Sequence, residues 1–252
     1  MRVVNLSFAA AGFLGAYHLG AAEALLRNGD RLLSSLKVCA GASAGALVAS
    51  MMITAPDKLQ HCKKFTYRFA SNVRSQRFGA LTPGYDFMLE LREGIEEILP
   101  PNAHQLASDR LHVSITHAKT HKNSMVSSFS SRDDLIKVLL ASCFVPVYAG
   151  LKPVEFQGQK WIDGGLTDSL PIVPLGHTIT VSPFSGPQDI SPEHKGISRN
   201  YLRLANMSVV LSVENLRRLN EALFPPPLTR LKKLEQDGHQ DALNFLKREK
   251  WI

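Results

Sequence analysis

The sequence predicts an α/β protein with a mostly parallel central sheet covered by helices on both faces. Three observations lead there. Short β-branched or apolar runs alternate with longer segments of helical apolar spacing through the first half, as when crossover helices join parallel strands. The 252 residues are 44% hydrophobic and 20% charged, which allows one sizeable core and argues against extended disorder. Glycine-rich turns directly follow several of the short runs. No internal repeat or low-complexity stretch breaks the chain. The expectation is therefore a single domain over residues 1–252, with a motif-bearing core near 3–183 and a helical C-terminal extension near 201–252.

The elements follow in order. Residues 3–8 form a short, partly β-branched strand that runs into the small-residue stretch Ala9 to Gly15. A helix is expected over 16–28, ended by Gly29. Residues 37–40 make a second strand, which feeds a tight turn and then a helix over 44–54, stopped near Pro56. Residues 57–76 read as an amphipathic helix, with Phe65, Phe69 and Val73 at a spacing of four. Pro83-Gly84 marks a turn, and Pro100-Pro101 ends a helix over 87–99. Residues 111–116 alternate with the period of a strand, and 124–129 can pair beside them. A helix over 133–143 precedes Pro146. Residues 154–156 and 159–162 bracket Gly158 as a small hairpin, and 178–181 add a strand. Leu204, Met207, Leu211, Leu216, Leu219 and Leu223 suggest one long helix over 201–224, broken by Pro225-Pro226-Pro227. Residues 228–252 form a basic amphipathic tail.

The net charge is +7, which favours anionic partners. The basic residues gather loosely in 63–77, at Arg217-Arg218 and in 230–250, without a nucleic-acid motif. A membrane or lipid surface, bound peripherally, is the expected partner and nucleic acid is not; solvated helix faces are the plainer alternative. Three cysteines, Cys39, Cys62 and Cys143, do not make a disulfide framework, so a reducing, intracellular setting is expected. Residues 3–22 and 38–56 carry no formal charge. The first is interrupted by Asn5, Ser7, His18 and several glycines, and the second holds a turn, so neither a signal peptide nor a transmembrane helix is expected.

Gly41-Ala42-Ser43-Ala44-Gly45 lies between a strand and an apolar helix. Gly-x-Ser-x-Gly in that setting is a nucleophile elbow. The serine sits at a helix N-terminus, where free N–H groups and the dipole favour developing negative charge. A packing seam of small residues is the alternative. Asp163, at a strand end before Gly164-Gly165, is a candidate general base if burial raises its pKa, or else a turn residue capping backbone N–H groups. His177, His194 and His239 follow it in the chain order of a Ser-acid-His triad, though no motif surrounds any of them. The loop Ala11-Gly12-Phe13, with Gly15 after it, has N–H groups that can face an oxyanion. A dinucleotide fingerprint there fails, because Ala10 replaces its first glycine and Glu23 falls inside a helix. Neither a cofactor nor a metal is expected.

The order of glycine-rich loop, Gly-x-Ser-x-Gly and Asp163-Gly164-Gly165 resembles the patatin-like phospholipase family. Asn5 to Phe8, Gly12 to Gly15, Tyr17 to Gly20 and Ser142 to Pro146 look like its vertebrate lipid-droplet lipase branch. The chain length and the segment Asn220 to Pro226 look like a short member of that branch. The resemblance implies a three-layer α/β/α patatin-like fold and a Ser–Asp dyad without histidine. It implies Ser43 as nucleophile, Asp163 as base and Ala11, Gly12 and Phe13 as the oxyanion loop. It also implies hydrolysis of acyl esters of neutral lipids such as triacylglycerol and retinyl esters, acyl transfer between acylglycerols, and a cytoplasmic site at lipid droplets or membranes, with mitochondrial association left open. Leu14 stands where plant patatins carry a basic residue, which suits neutral lipids.

Overall fold

The computed structural model describes residues 3–194, 196 and 200–252. Its strands are β1 (Val4–Phe8), β2 (Leu36–Ala42), β3 (Leu111–His117), β4 (Asn123–Val126), β5 (Val154–Phe156), β6 (Gln159–Asp163), β7 (His177–Val181), β8 (Tyr201–Leu204) and β9 (Met207–Val210). The helices are α1 (Gly15–Asn28), α2 (Asp30–Leu33), α3 (Ala44–Thr54), α4 (Leu59–Ser75), α5 (Phe87–Ile98), α6 (Ala103–Ala107), α7 (Arg132–Ser142), α8 (Val213–Leu223) and α9 (Leu228–Arg248).

The main sheet runs β5-β6-β3-β2-β1-β7, with β4 also paired to β3. The stretch β3-β2-β1-β7 is parallel, while β6 and β4 run antiparallel to β3. This is the expected mixed, mostly parallel α/β sheet with helices packed around it. β1 lies between two parallel neighbours and all five of its residues are buried, polar Asn5 and Ser7 included, which a strand flanked on every side requires. Asn5 keeps a partner through the Leu175 carbonyl at 2.6 Å.

Register sets the geometry of the site. Phe8 pairs with Gly41, so the ends of β1 and β2 lie side by side. Ser114 on β3 pairs with Ala42, and the next residue, Ile115, pairs with Asp163. The antiparallel return of β6 thus ends its chain beside the end of β2.

The C-terminal extension is only partly helical. Residues 201–210 form the hairpin β8–β9, closed by Ala205 and Asn206 in left-handed conformation at φ 40° and 65°. The helical spacing of Leu204, Met207 and Leu211 concealed a period-two pattern in which Met207 and Val209 are buried. Helix α8 starts only at Val213, where the Ser212 hydroxyl accepts the Asn215 N–H at 3.1 Å.

Helix α9 buries Leu231, Leu234, Ala242, Phe245 and Leu246, chiefly along α1. Its apolar stripe is therefore covered by protein, and its lysines face outward. Between α1, α4 and α9 lies Lys63, whose ammonium is 2.8 Å from Glu23 and 2.7 Å from Glu235. Burial alone would push Glu23 up, but Lys63 and Arg27 hold its carboxyl below the usual range. Among the described residues no helix is long and apolar enough to cross a membrane.

Replacing Lys63 by Ala leaves two largely buried carboxylates facing one another. It should cost about 3 kcal/mol of stability at neutral pH. The loss should shrink as acid protonates Glu23, whose depressed pKa makes the ion pair a contribution present above its unfolded value and lost below. Urea unfolding of Lys63→Ala at neutral and at acidic pH measures both.

Candidate active site

Ser43 links β2 to α3 at φ 53° and ψ −132°, a conformation that side-chain-bearing residues avoid at a cost of about 1–3 kcal/mol. The strain persists because neighbours leave no alternative. A Cβ on Gly45 would strike the carbonyl oxygens of Phe8, the last residue of β1, and of Ala9 after it, so only glycine lets α3 start this close to the sheet. Gly41 faces Gly45 across the turn, and Gly15 packs against Ala44. The Ser43 N–H donates to the Ser142 hydroxyl at 2.8 Å, and that hydroxyl donates to the Ser114 carbonyl at 2.7 Å. Ser142 on α7 therefore holds the turn from below, a role no spacing in the sequence displayed.

Asp163 ends β6 and is only 4% exposed. Its backbone is fixed from both sides: its N–H donates to the Phe144 carbonyl at 2.8 Å, and its carbonyl accepts the Thr116 hydroxyl at 2.7 Å. Gly164 packs on the Ser114 backbone. The Gly165 N–H reaches Asp163 Oδ1 at 2.6 Å, so the capping role open to this aspartate from sequence is filled. Burial pushes the carboxyl pKa up to about 7, against the opposing hydrogen bonds from the Ser43 hydroxyl and the Gly165 N–H. Ser43 and Asp163, distant in sequence, adjoin one another and line the same cavity. The Cys143 thiol also adjoins the Ser43 hydroxyl, and burial raises its pKa well above the usual thiol value.

The glycine loop closes the site from β1. Gly12 has φ 51°, and a Cβ there would meet the backbone of Ala222 on α8. Ala9 and Ala10 donate to the carbonyls of Val181 and Ser169 at 2.9 and 2.8 Å. The N–H groups of Ala11, Gly12 and Phe13 have no protein acceptor among the described residues. Gly12 is exposed toward the cavities, whereas Ala11 is buried and the Phe13 ring packs between Phe69 and Phe87. Leu14 is fully buried and lines neither cavity, so it does not touch a ligand there. Beneath the loop, His18 is buried, with Nε2 2.8 Å from the Ala9 carbonyl. Burial pushes its pKa down to about 4, so the neutral ring donates and fixes the loop.

Two apolar cavities meet at Ser43. One, of about 140 Å³, runs between α3, α4, α5 and α7 past Phe65, Phe69, Leu91 and Ile95. The other, of about 340 Å³, holds Asp163 and passes under β8, β9 and α8. Gly12, Ser43, Val145, Ala222 and Leu223 line both. Ala44, the first residue of α3, lines the narrower one and brings a helix-terminal N–H there. Among the described residues no histidine lines either cavity. His177 opens β7 opposite Val4, His194 lies in an irregular segment, and His239 on α9 faces Glu23 at 3.5 Å. The triad ordering does not bring any of the three to Ser43.

Ser142→Ala should leave the Ser43 N–H and the Ser114 carbonyl buried without partners and cost about 1–3 kcal/mol in denaturant unfolding. The same variant should slow covalent labelling of Ser43 by a fluorophosphonate, because the elbow loses its support.

Residues 6–175 match the sequence profile of the family described as patatin-like phospholipase. Over all of both chains, this protein is 61% identical to human patatin-like phospholipase domain-containing protein 4. It is 37% identical to the mouse 1-acylglycerol-3-phosphate O-acyltransferase Pnpla3, covering 96% of this chain and 58% of that one. The crystal structure of VipD from Legionella pneumophila superposes with a TM-score of 0.53 at 14% identity, over 98% of this chain and 67% of that one, a likeness of fold alone. With the elbow, the aspartate turn and the glycine loop assembled at one point, the profile and the full-length relative agree: the chain belongs to the patatin-like phospholipase family.

Proposed function

We propose that this protein is a serine acyl-ester hydrolase of neutral lipids such as triacylglycerol and retinyl esters. It works through a Ser43–Asp163 dyad and an acyl-enzyme, and also transfers acyl groups to acylglycerol hydroxyls. The observation that carries this reading is the buried Asp163 carboxyl beside the Ser43 hydroxyl, in cavities without a histidine.

The Asp163 carboxylate takes the Ser43 proton as Oγ attacks the ester carbonyl carbon. The tetrahedral oxyanion accepts hydrogen bonds from the Gly12 loop, with Ala11 and Phe13 on either side, and from the Ala44 N–H that follows the nucleophile. The ester C–O bond breaks, and the proton passes from Asp163 to the departing alcohol. Water, or the hydroxyl of an acceptor acylglycerol, then gives its proton to Asp163 as it attacks the acyl carbon; the acyl–Oγ bond breaks and Asp163 returns that proton to Ser43 Oγ. An aspartate near its ordinary pKa is a poor base; one at about 7 is matched to the task.

Cavity chemistry supports a neutral substrate. The walls are mostly aliphatic and aromatic, with Ser50, Thr66 and Tyr148 bringing hydroxyls to the narrower chamber besides Ser43, so an acyl chain fits and a charged head group has no counter-ion there. The peripheral, cytoplasmic location at lipid droplets or membranes belongs to this same reading.

Ser43→Ala should abolish turnover of a lipid-ester panel, with or without acceptor alcohols. Asp163→Asn should lower it by at least about a hundredfold. His177→Ala, His194→Ala and His239→Ala should keep wild-type rates; a loss at any of them equal to that of Ser43→Ala would replace the dyad by a triad. The rate should rise with pH through about 7 and level off above, because the base acts only when Asp163 is ionised. A rate constant across that range, measured on a non-titrating ester, would remove Asp163 from the role.

A further inference from the structure

Helix α8 is built the wrong way round for water. Asn215 and Glu221, each 6% exposed, face inward. Asn215 bonds the carbonyls of Ser185 and Val210 at 2.9 and 2.8 Å, and Glu221 takes Arg217 and Arg230 at 3.0 and 3.1 Å. The apolar side chains face out: Val213 is 79% exposed, Leu216 60% and Leu219 49%. A surface helix ordinarily shows the opposite pattern. The adjoining strand β8 is exposed throughout, including Leu202 and Leu204. Phe224 at the end of α8 and Leu151 in the 145–151 loop are exposed as well. In that loop Val147 is held at φ 71° with its side chain largely in solvent, an unfavourable conformation for a β-branched residue. Single exposed leucines are ordinary, but a contiguous apolar patch marks an interaction surface.

We infer that this face, made by β8, the outer side of α8 and the 145–151 loop, seats the protein on a phospholipid-coated lipid surface. The inference rests on the lipid-ester reading of Ser43. Leu202, Leu204, Leu216 and Leu219 line the same cavity as Ser43 and Asp163, so that cavity opens through the patch. A water-insoluble ester reaches the nucleophile without crossing water when the patch lies against lipid, whereas a second copy seated there would cap the opening. The charges agree. Arg203 is exposed on the same strand and Lys152 directly after the loop, and neither has a carboxylate partner among the described residues; such side chains suit anionic phosphates above an apolar layer. The basic helix α9 is not the seat, because α1 already covers its apolar stripe.

The test is flotation with vesicles of phosphatidylcholine, with and without phosphatidylserine, run in the Ser43→Ala background so that no turnover enters. Val213→Asp combined with Phe224→Asp should lower vesicle partitioning by at least about tenfold. An acidic residue at the first position of α8 suits the helix dipole, and an unchanged melting temperature confirms folding. Lys232→Glu combined with Lys247→Glu on α9 should float like the parent. Equal flotation of all three proteins, loss confined to the α9 variant, or no flotation of the parent would each overturn the inference. So would a dimer in size-exclusion chromatography that the Val213→Asp, Phe224→Asp protein cannot form. Wild-type protein that floats yet hydrolyses no ester would sink the proposed function and leave the docking surface standing.

Discussion

The backbone at Ser43, at φ 53° and ψ −132°, is the constraint around which the rest is arranged. A strained turn survives only where its surroundings over-determine it. Here the sheet supplies one side, because α3 begins against the carbonyls of Phe8 and Ala9. Helix α7 supplies the other, through the Ser142 hydroxyl that joins the Ser43 N–H to Ser114. Ser114 then extends the same support to the aspartate turn, since its hydroxyl bonds the Asp168 carbonyl at 3.0 Å and accepts Asn123 Nδ2 at 2.8 Å. One residue on β3 thus couples the two motifs whose side chains meet. Their relative position is set by backbone register and buried hydrogen bonds, which are far stiffer than side-chain packing.

Burial at Asp163 serves two ends at once. Removing water from the carboxyl raises its pKa to about 7, and the same exclusion makes room for an apolar ligand beside Ser43. The opposing hydrogen bonds from Gly165 and Ser43 keep the shift from running further, since a buried carboxylate without them would stay protonated near neutrality. His18 is the complementary case. Burial holds it neutral, and it serves the site by fixing the Ala9 carbonyl, away from the ester chemistry.

The C-terminal quarter builds the site although it carries no motif. Ala222 of α8 packs on Gly12, and the Tyr148 hydroxyl donates to the Leu223 carbonyl. Helix α9 clasps α1 over its length and closes the Lys63 network, so the helix that follows the glycine loop is pinned at its far side. The hairpin and α8 then roof the wider cavity with side chains that would otherwise belong in a core.

The amino-acid sequence by itself determined the class of fold, most of the strand and helix positions, and the residue types at Ser43, Asp163 and Gly12. Those are local properties: strand and helix periods, proline stops, and glycines where a side chain has no space. It misplaced 201–210, because Leu204, Met207 and Leu211 satisfy a helical period and a strand period alike, and the left-handed Ala205-Asn206 turn leaves little mark in residue type. It assigned no role to Ser142, Ser114 or His18, whose partners lie far along the chain or in the main chain. The resemblance set Leu14 in place of a basic residue of plant patatins, and packing buries that leucine away from both cavities. The sequence left the aspartate between base and cap, and the apolar-basic tail between lipid seat and packed helix. Only the tertiary structure decided that Asp163 is buried next to the Ser43 hydroxyl while also accepting the Gly165 N–H, and that α1 covers α9 while α8 turns its leucines outward. Burial and proximity depend on which distant segments pack together, and no local period encodes that.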